Sequence, residues 1–204
     1  MEITSAVGAV LGAFGLSGAA GLNAWLPLLL VGGADRFGWI DLGSSYGWLS
    51  STPALLVIAV LLVVDLIGDK VPVLDSILHA IGTVVAPTSG AILFTAETSL
   101  NSHLPPAVTA VLGALTAGSV HIGRTVARPF ITGTTAGVGN PLVSSAEDGT
   151  SLVLTILALA VPVLAFIAVV ILLIALTWLA IRATRWMRRK RSRRSPNGTT
   201  PDPI

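Results

Sequence analysis

Ten acids, twelve lysines and arginines and three histidines make up nearly all the ionisable groups of this 204-residue chain. Away from the C-terminus they are densest in VVDLIGDKVPVLDSILHA, residues 63–80. Asp65 and Asp69 are four apart, as are Asp75 and His79, so each pair shares a face if the segment is helical. Pro72 lacks an N–H and biases Val71 away from helix, which predicts a helix ending near Gly68–Val71 and restarting after Pro72. Half-helix ends at such a break present free amides and carbonyls. With the carboxylates beside them they could hold a proton or a cation. His79 could tune Asp75, relay its proton or help to ligate a metal. A plainer reading stands beside this one. Asp69 and Lys70 would sit at an interfacial turn, Asp75 would favour a helix start through the dipole, and His79 would satisfy Asp75. Asp65 and Asp75, with apolar flanks, are the stronger functional candidates.

A second group runs from Arg124 and Arg128 through TTAGVGNP, residues 134–141. Two guanidiniums with a glycine- and threonine-rich backbone could form an anion or headgroup site, with Gly137, Gly139 and Asn140 approaching the ligand. The alternative is a tightly packed broken helix whose arginines mark the membrane interface. Asn23 is an isolated amide in an apolar segment and a candidate substrate contact. Glu147 and Asp148 read most simply as caps of the last helix, His121 as a packed interior histidine, and His103 as a loop residue without a role. There is no phosphate-binding GxxxxGK[ST] loop, no HExxH zinc motif, no GxSxG nucleophile elbow and no GxGD. No cofactor is expected, and the metal question stays open at Asp75 and His79.

These residues need elements to carry them, and composition says which. Apolar residues make up 53% of the chain and charged ones 11%, with a mean hydropathy of +0.85. Soluble domains carry roughly 25% charge. So little polar surface argues against a soluble enzyme, a disordered chain or a nucleic-acid-binding module. The lack of cysteine removes disulfides and thiolate chemistry. Eight of the twelve basic residues lie at 182–194, directly after a long apolar run. By the positive-inside rule this places the C-terminus in the cytoplasm. The expected division is a transmembrane domain over 1–181 and a basic cytoplasmic tail over 182–204, disordered at its end. Met1-Glu2 offers no positive n-region, which argues against a cleaved signal peptide and suits an outside N-terminus.

Six charge-free windows are each about as long as a span, roughly 20 residues: 3–34, 42–64, 76–96, 98–123, 129–146 and 149–181. The last is the clearest, with Pro162 as a kink, Trp178 as interfacial anchor and Ser144–Glu147 as a capping box ahead of it. Thr52-Pro53 reads as an N-cap and N1 pair, and another helix starts near Pro105-Pro106. Windows 76–96 and 129–146 carry too much Gly, Pro, His and Thr for lipid-facing helices and are expected as broken or re-entrant segments. The stretch 35–52 is an aromatic loop at headgroup level. His79-x3-Thr83-Val84-x2-Pro87 and His121-x3-Thr125-Val126-x2-Pro129 share a spacing that would fit two three-segment halves. The fold class is therefore all-α: a polytopic bundle of five to six segments with broken or re-entrant helices and an internal repeat as an open question.

Three stretches, AGLNAWLPLLL at 20–30, STPALLVIAVLLVVDLIGDKVPVLDSILHAIGTVVAPTSGAIL at 51–93 and TTAGVGNPLVSSAED at 134–148, together give a resemblance. The chain resembles bacterial members of the domain-of-unknown-function 4126 family of small integral membrane proteins, over roughly residues 5–180. The resemblance implies a membrane location and a compact helical domain, and brings no activity with it. From the residues themselves the first expectation is a small transporter or translocase of the bacterial plasma membrane, not an enzyme. Asp65 and Asp75 would take a proton or cation, Asn23 and the Gly137–Pro141 loop would contact substrate, and Arg124 and Arg128 would attract an anionic group such as a lipid phosphate. The alternative is a non-transporting assembly partner or lipid organiser. Membrane lipids, an ion or small anionic ligand and a second copy of the chain are the partners considered; nucleic acid is not among them.

Overall fold

Small residues recur through the N-terminal apolar segment, and they decide how the protein packs. The computed structural model describes residues 2–68, 72–100, 104–135 and 139–192. Among them are seven α-helices and no strand: α1 (Glu2–Leu22), α2 (Trp25–Arg36), α3 (Thr52–Gly68), α4 (Pro72–Thr98), α5 (Pro106–Thr135), α6 (Asn140–Ala160) and α7 (Pro162–Ser192). A short 3-10 turn, Gly47–Ser50, precedes α3. Five helices, α1 and α4 to α7, are long and apolar enough to cross a membrane, which makes this a multi-pass membrane protein by length and composition.

α1 is the axis of the bundle. A Cβ on Gly15 would come 2.7 Å from Cβ of Ala165, one on Gly18 2.5 Å from Val169, and one on Gly21 2.5 Å from the Ala117 carbonyl oxygen. Such close approach replaces the hydrophobic drive that lipid does not supply. Ser151 Oγ donates to the Ala19 carbonyl at 2.9 Å and Ser17 Oγ to that of Gly90 at 3.0 Å, tying α6 and α4 to the same axis. α4 and α5 run antiparallel on a second small-residue seam, where Gly90 and Gly113 meet backbone to backbone. Phe14 packs edge-on against Phe94 and Phe166, with centroids 4.9 and 5.5 Å apart.

The pairs Gly15–Ala165 and Gly18–Val169 run in step, so α1 and α7 are parallel. The N-terminus of α1 and the basic end of α7 therefore lie on opposite faces. The 37–51 connection sits at the face away from the basic end, since Ser99 Oγ donates to the Leu42 carbonyl at 3.4 Å. It exposes Phe37, Trp39 and Trp48, as an interfacial aromatic loop should.

The helix breaks fall elsewhere than the sequence suggests. Window 3–34 is two helices, separated at Asn23 and Ala24. Window 149–181 is also two, α6 and α7, because Pro162 ends one helix and starts the next. Window 76–96 is unbroken: α4 continues through Pro87, whose ring has room beside Gly118, 3.5 Å from where a Cβ there would stand. Window 129–146 falls on two helices: α5 continues past Pro129 to Thr135 and α6 starts at Asn140, with 136–138 outside the described residues. Ser144 lies buried inside α6, and no capping box forms. The Ser51 hydroxyl accepts from the Ala54 N–H at 3.4 Å, which moves the cap of α3 one residue ahead of Thr52. α3 is described to Gly68 and α4 from Pro72, so the expected break at 69–71 lies outside the described residues; α5 starts at Pro106. The two His-x3-Thr-Val motifs lie on α4 and α5, the second helix of one hairpin and the first of the next, so helix order gives them no equivalent places in two halves.

Candidate functional site

The break between α1 and α2 is where the polar residues meet. Asn23 closes the last turn of α1 by donating its N–H to the Ala19 carbonyl at 3.0 Å. Its side-chain oxygen accepts from the N–H groups of Trp25 and Leu26 at 3.1 and 3.0 Å, satisfying the first amides of α2. Its Nδ2 donates to Asp65 Oδ2 on α3 at 3.1 Å and to Asp148 Oδ1 on α6 at 2.9 Å. Chemistry fixes the amide's orientation, since the reverse would set its oxygen against two carboxylates. Sharing one donor nitrogen holds the two carboxylate oxygens no further apart than the sum of those distances.

Arg124 on α5 closes the other side of the break. Its Nη1 donates to the Leu22 carbonyl, one of the orphan acceptors at the end of α1, and to Glu147 Oε2 at 3.1 Å. Arg128 Nη2 donates to the same Glu147 oxygen at 2.9 Å. These side chains are only 10–12% exposed, so the pairs are poorly screened. Three carboxylates and two guanidiniums thus meet around the break.

A cavity of about 180 Å³ opens beside it, between α3 and α4. Trp25, Asp65, His121 and Arg124 line it together with Leu61, Val64, Ile81 and Val85. His121 is buried at 2% exposure and fills the space that Gly82 leaves, where a Cβ would come 2.7 Å from the imidazole Cε1.

Asn23, Asp65, Arg124 and Arg128 thus converge, as candidate residues should. Asn140 and Gly139 do not join them. Asn140 Oδ1 accepts from the Thr132 hydroxyl at 3.0 Å and the Gly139 N–H donates to Thr135 Oγ1 at 3.2 Å, in an exposed turn. That turn follows the end of α5, eleven helical residues or about 16 Å beyond Arg124. Asp75 and His79 lie on the first turns of α4, but their side chains fall outside the described residues, as do Asp69, Lys70, His103 and Gly137. Of the arginine pair, Glu147 Oε2 takes one Nη from each guanidinium, so an acid of the chain itself answers part of their charge. Glu147 and Asp148 do not cap a helix start: both lie within α6 and are working members of the cluster. The signal that could have found them was their position between two long charge-free windows, level with Arg124 between two others. Glu97, in the last turn of α4, also escaped notice. It faces the gap over Gly12, where a Cβ would stand 3.4 Å from its Oε1. Among the described residues no three His, Cys, Asp or Glu side chains are grouped to hold a metal.

The family described as "Domain of unknown function (DUF4126)" matches residues 10–182. The chain belongs to this family. The match takes in every residue of the cluster, from Asn23 to Asp148, and stops at the first arginine of the basic run. No curated protein and no solved structure matches the chain.

Proposed function

We propose that the protein is a small transporter or translocase of the bacterial plasma membrane, with its C-terminus in the cytoplasm and its site at the α1–α2 break. One observation carries this reading: Asn23, in the unwound turn, bonds two carboxylates on different helices. α2, the 3-10 turn and α3 form an arm on the bundle: among the described residues α3 packs on α2, that turn and α4, and α2 packs in turn on α1, α4 and α6. Asp65 belongs to the arm and Asp148 to the bundle. A proton or cation taken up by either carboxylate weakens its hold on the Asn23 amide and loosens the arm. Binding and arm position are then linked, as alternating access requires.

The test uses proteoliposomes loaded with a pH-sensitive dye, under an imposed membrane potential. Wild-type protein is expected to admit protons, and Asp65→Asn and Asp148→Asn to abolish the signal while remaining folded in detergent. Flux that is equal in wild type and both variants would remove the carboxylates from the mechanism. The second reading is a non-transporting assembly partner, favoured by the long, mostly exposed apolar surface of α7. Crosslinking in membranes separates the two, since that reading requires a partner held along α7.

A further inference from the structure

α5 and α7 run side by side in the same direction, since Gly123 lies against Leu176 and Gly133 against Trp186. The Phe130 and Trp186 rings meet edge-on at 5.7 Å further along the seam. On this seam lies an open groove of about 400 Å³, lined by Ser119, Gly123 and Val126 of α5 and Thr177, Ile181 and Thr184 of α7. Its volume falls in the roughly 300–1,000 Å³ of ligand clefts, and no charged residue lines it. A hydrocarbon core of about 30 Å takes about 20 helical residues. Counted from Pro162, where α7 starts, they end at Ile181. The groove thus reaches from the acyl region to the headgroup level, where Arg182 and Arg185 stand. Arg185 follows Ile181 by one turn and so continues the lining face of α7. Arg182 lies over the Trp178 ring, 5.2 Å from its centroid. Both arginines are exposed, and among the described residues neither is in an ion pair. Neither α5 nor α7 contains an acid.

We propose that this groove holds one acyl chain of an anionic phospholipid from the leaflet at the basic end of α7, with the lipid phosphate on Arg182 and Arg185. A guanidinium meets phosphate oxygens through two parallel N–H donors, and no acid of α5 or α7 competes for them. A zwitterionic lipid brings its own cation and leaves the charge of the arginines unanswered. A second copy of the chain fits worse. All copies share one orientation in the bilayer, so its Arg182 and Arg185 would arrive at the same level, like charge against like charge. Such a lipid site stands whether or not the protein transports.

The experiment is native mass spectrometry of the full-length protein in mild detergent, titrated with equal amounts of phosphatidylglycerol and phosphatidylcholine. Wild type is expected to retain one phosphatidylglycerol per chain and no phosphatidylcholine. Arg182→Gln and Arg185→Gln should each weaken retention roughly fivefold, and together roughly thirtyfold. Ser119→Phe with Thr177→Phe fills the groove, spares both arginines and should abolish retention, with the melting temperature as the check on folding. Replacing the six basic residues of 188–194 by glutamine should leave the one lipid in place. Glycerol phosphate, which carries the charge without the chains, should not displace it. Equal retention of the two lipids, undiminished retention in the filled groove, loss only in the 188–194 variant, displacement by glycerol phosphate, or a lipid-free dimer would each overturn the proposal.

Discussion

Asn23 makes four side-chain hydrogen bonds, as many as its amide can form. Asn23→Ala leaves two carboxylates and two helix-start amides to find other partners, at about 1–3 kcal/mol for each group left bare. A large drop in melting temperature in detergent is the expected result, more than for either aspartate-to-asparagine change. Glu147 is the second critical residue. It answers two arginines at once, so Glu147→Gln removes the carboxylate that both buried guanidiniums share and should cost about 3–5 kcal/mol, read from thermal unfolding. Glu97 should behave in the opposite way. It makes no hydrogen bond to another described residue and lies in a span, where a charge is costly. Glu97→Gln should raise the melting temperature, by on the order of 1 kcal/mol in stability.

Helix packing depends on small residues at contact points rather than on a deep core. Gly113→Val would drive a side chain into the Gly90 backbone and the Phe94 side chain, and it should prevent assembly of the α4–α5 pair. Gly8, with nothing within 4 Å of an added Cβ, is the control: Gly8→Ala should fold and melt no lower than wild type. Expression and size-exclusion behaviour in detergent distinguish the two. This is also the scale at which the sequence was least legible. Proline was read as the breaker, yet α4 and α5 continue through Pro87 and Pro129, because neighbouring helices make room for each ring. The break that matters is made by Asn23, whose side chain caps one helix while its backbone ends another. Nothing local distinguishes that residue from a buried polar one inside a continuous span. Asp65, Arg124 and Arg128 were legible as site residues because a charge amid apolar neighbours stands out alone. Their partners Glu147 and Asp148 were not, because adjacent acids before an apolar run also fit a helix cap.

At the scale of the whole molecule, an arm of α2 and α3 packs on a bundle of five helices through a shared apolar core, with the polar cluster and the cavity at the same junction. The chain has no cysteine, so Leu61→Cys with Val85→Cys provides a unique pair facing the cavity from arm and bundle. A reducible crosslink between them should stop proton entry, and reductant should restore it; unchanged flux in the crosslinked protein would show that the arm need not move. The α6–α7 hairpin has a different consequence. Val161 alone joins the two helices, which is too little chain for a soluble loop between separately inserted spans. α6 carries Glu147 and Asp148 near its start, whereas α7 is far more apolar, so the two must enter the bilayer together, with α7 drawing α6 in. Arg124 and Arg128 are made earlier and meet Glu147 only then, as Asn23 meets Asp148. The cluster is therefore completed only when the α6–α7 hairpin enters, and a chain halted after α5 holds its two arginines without Glu147, a ready mark for quality control.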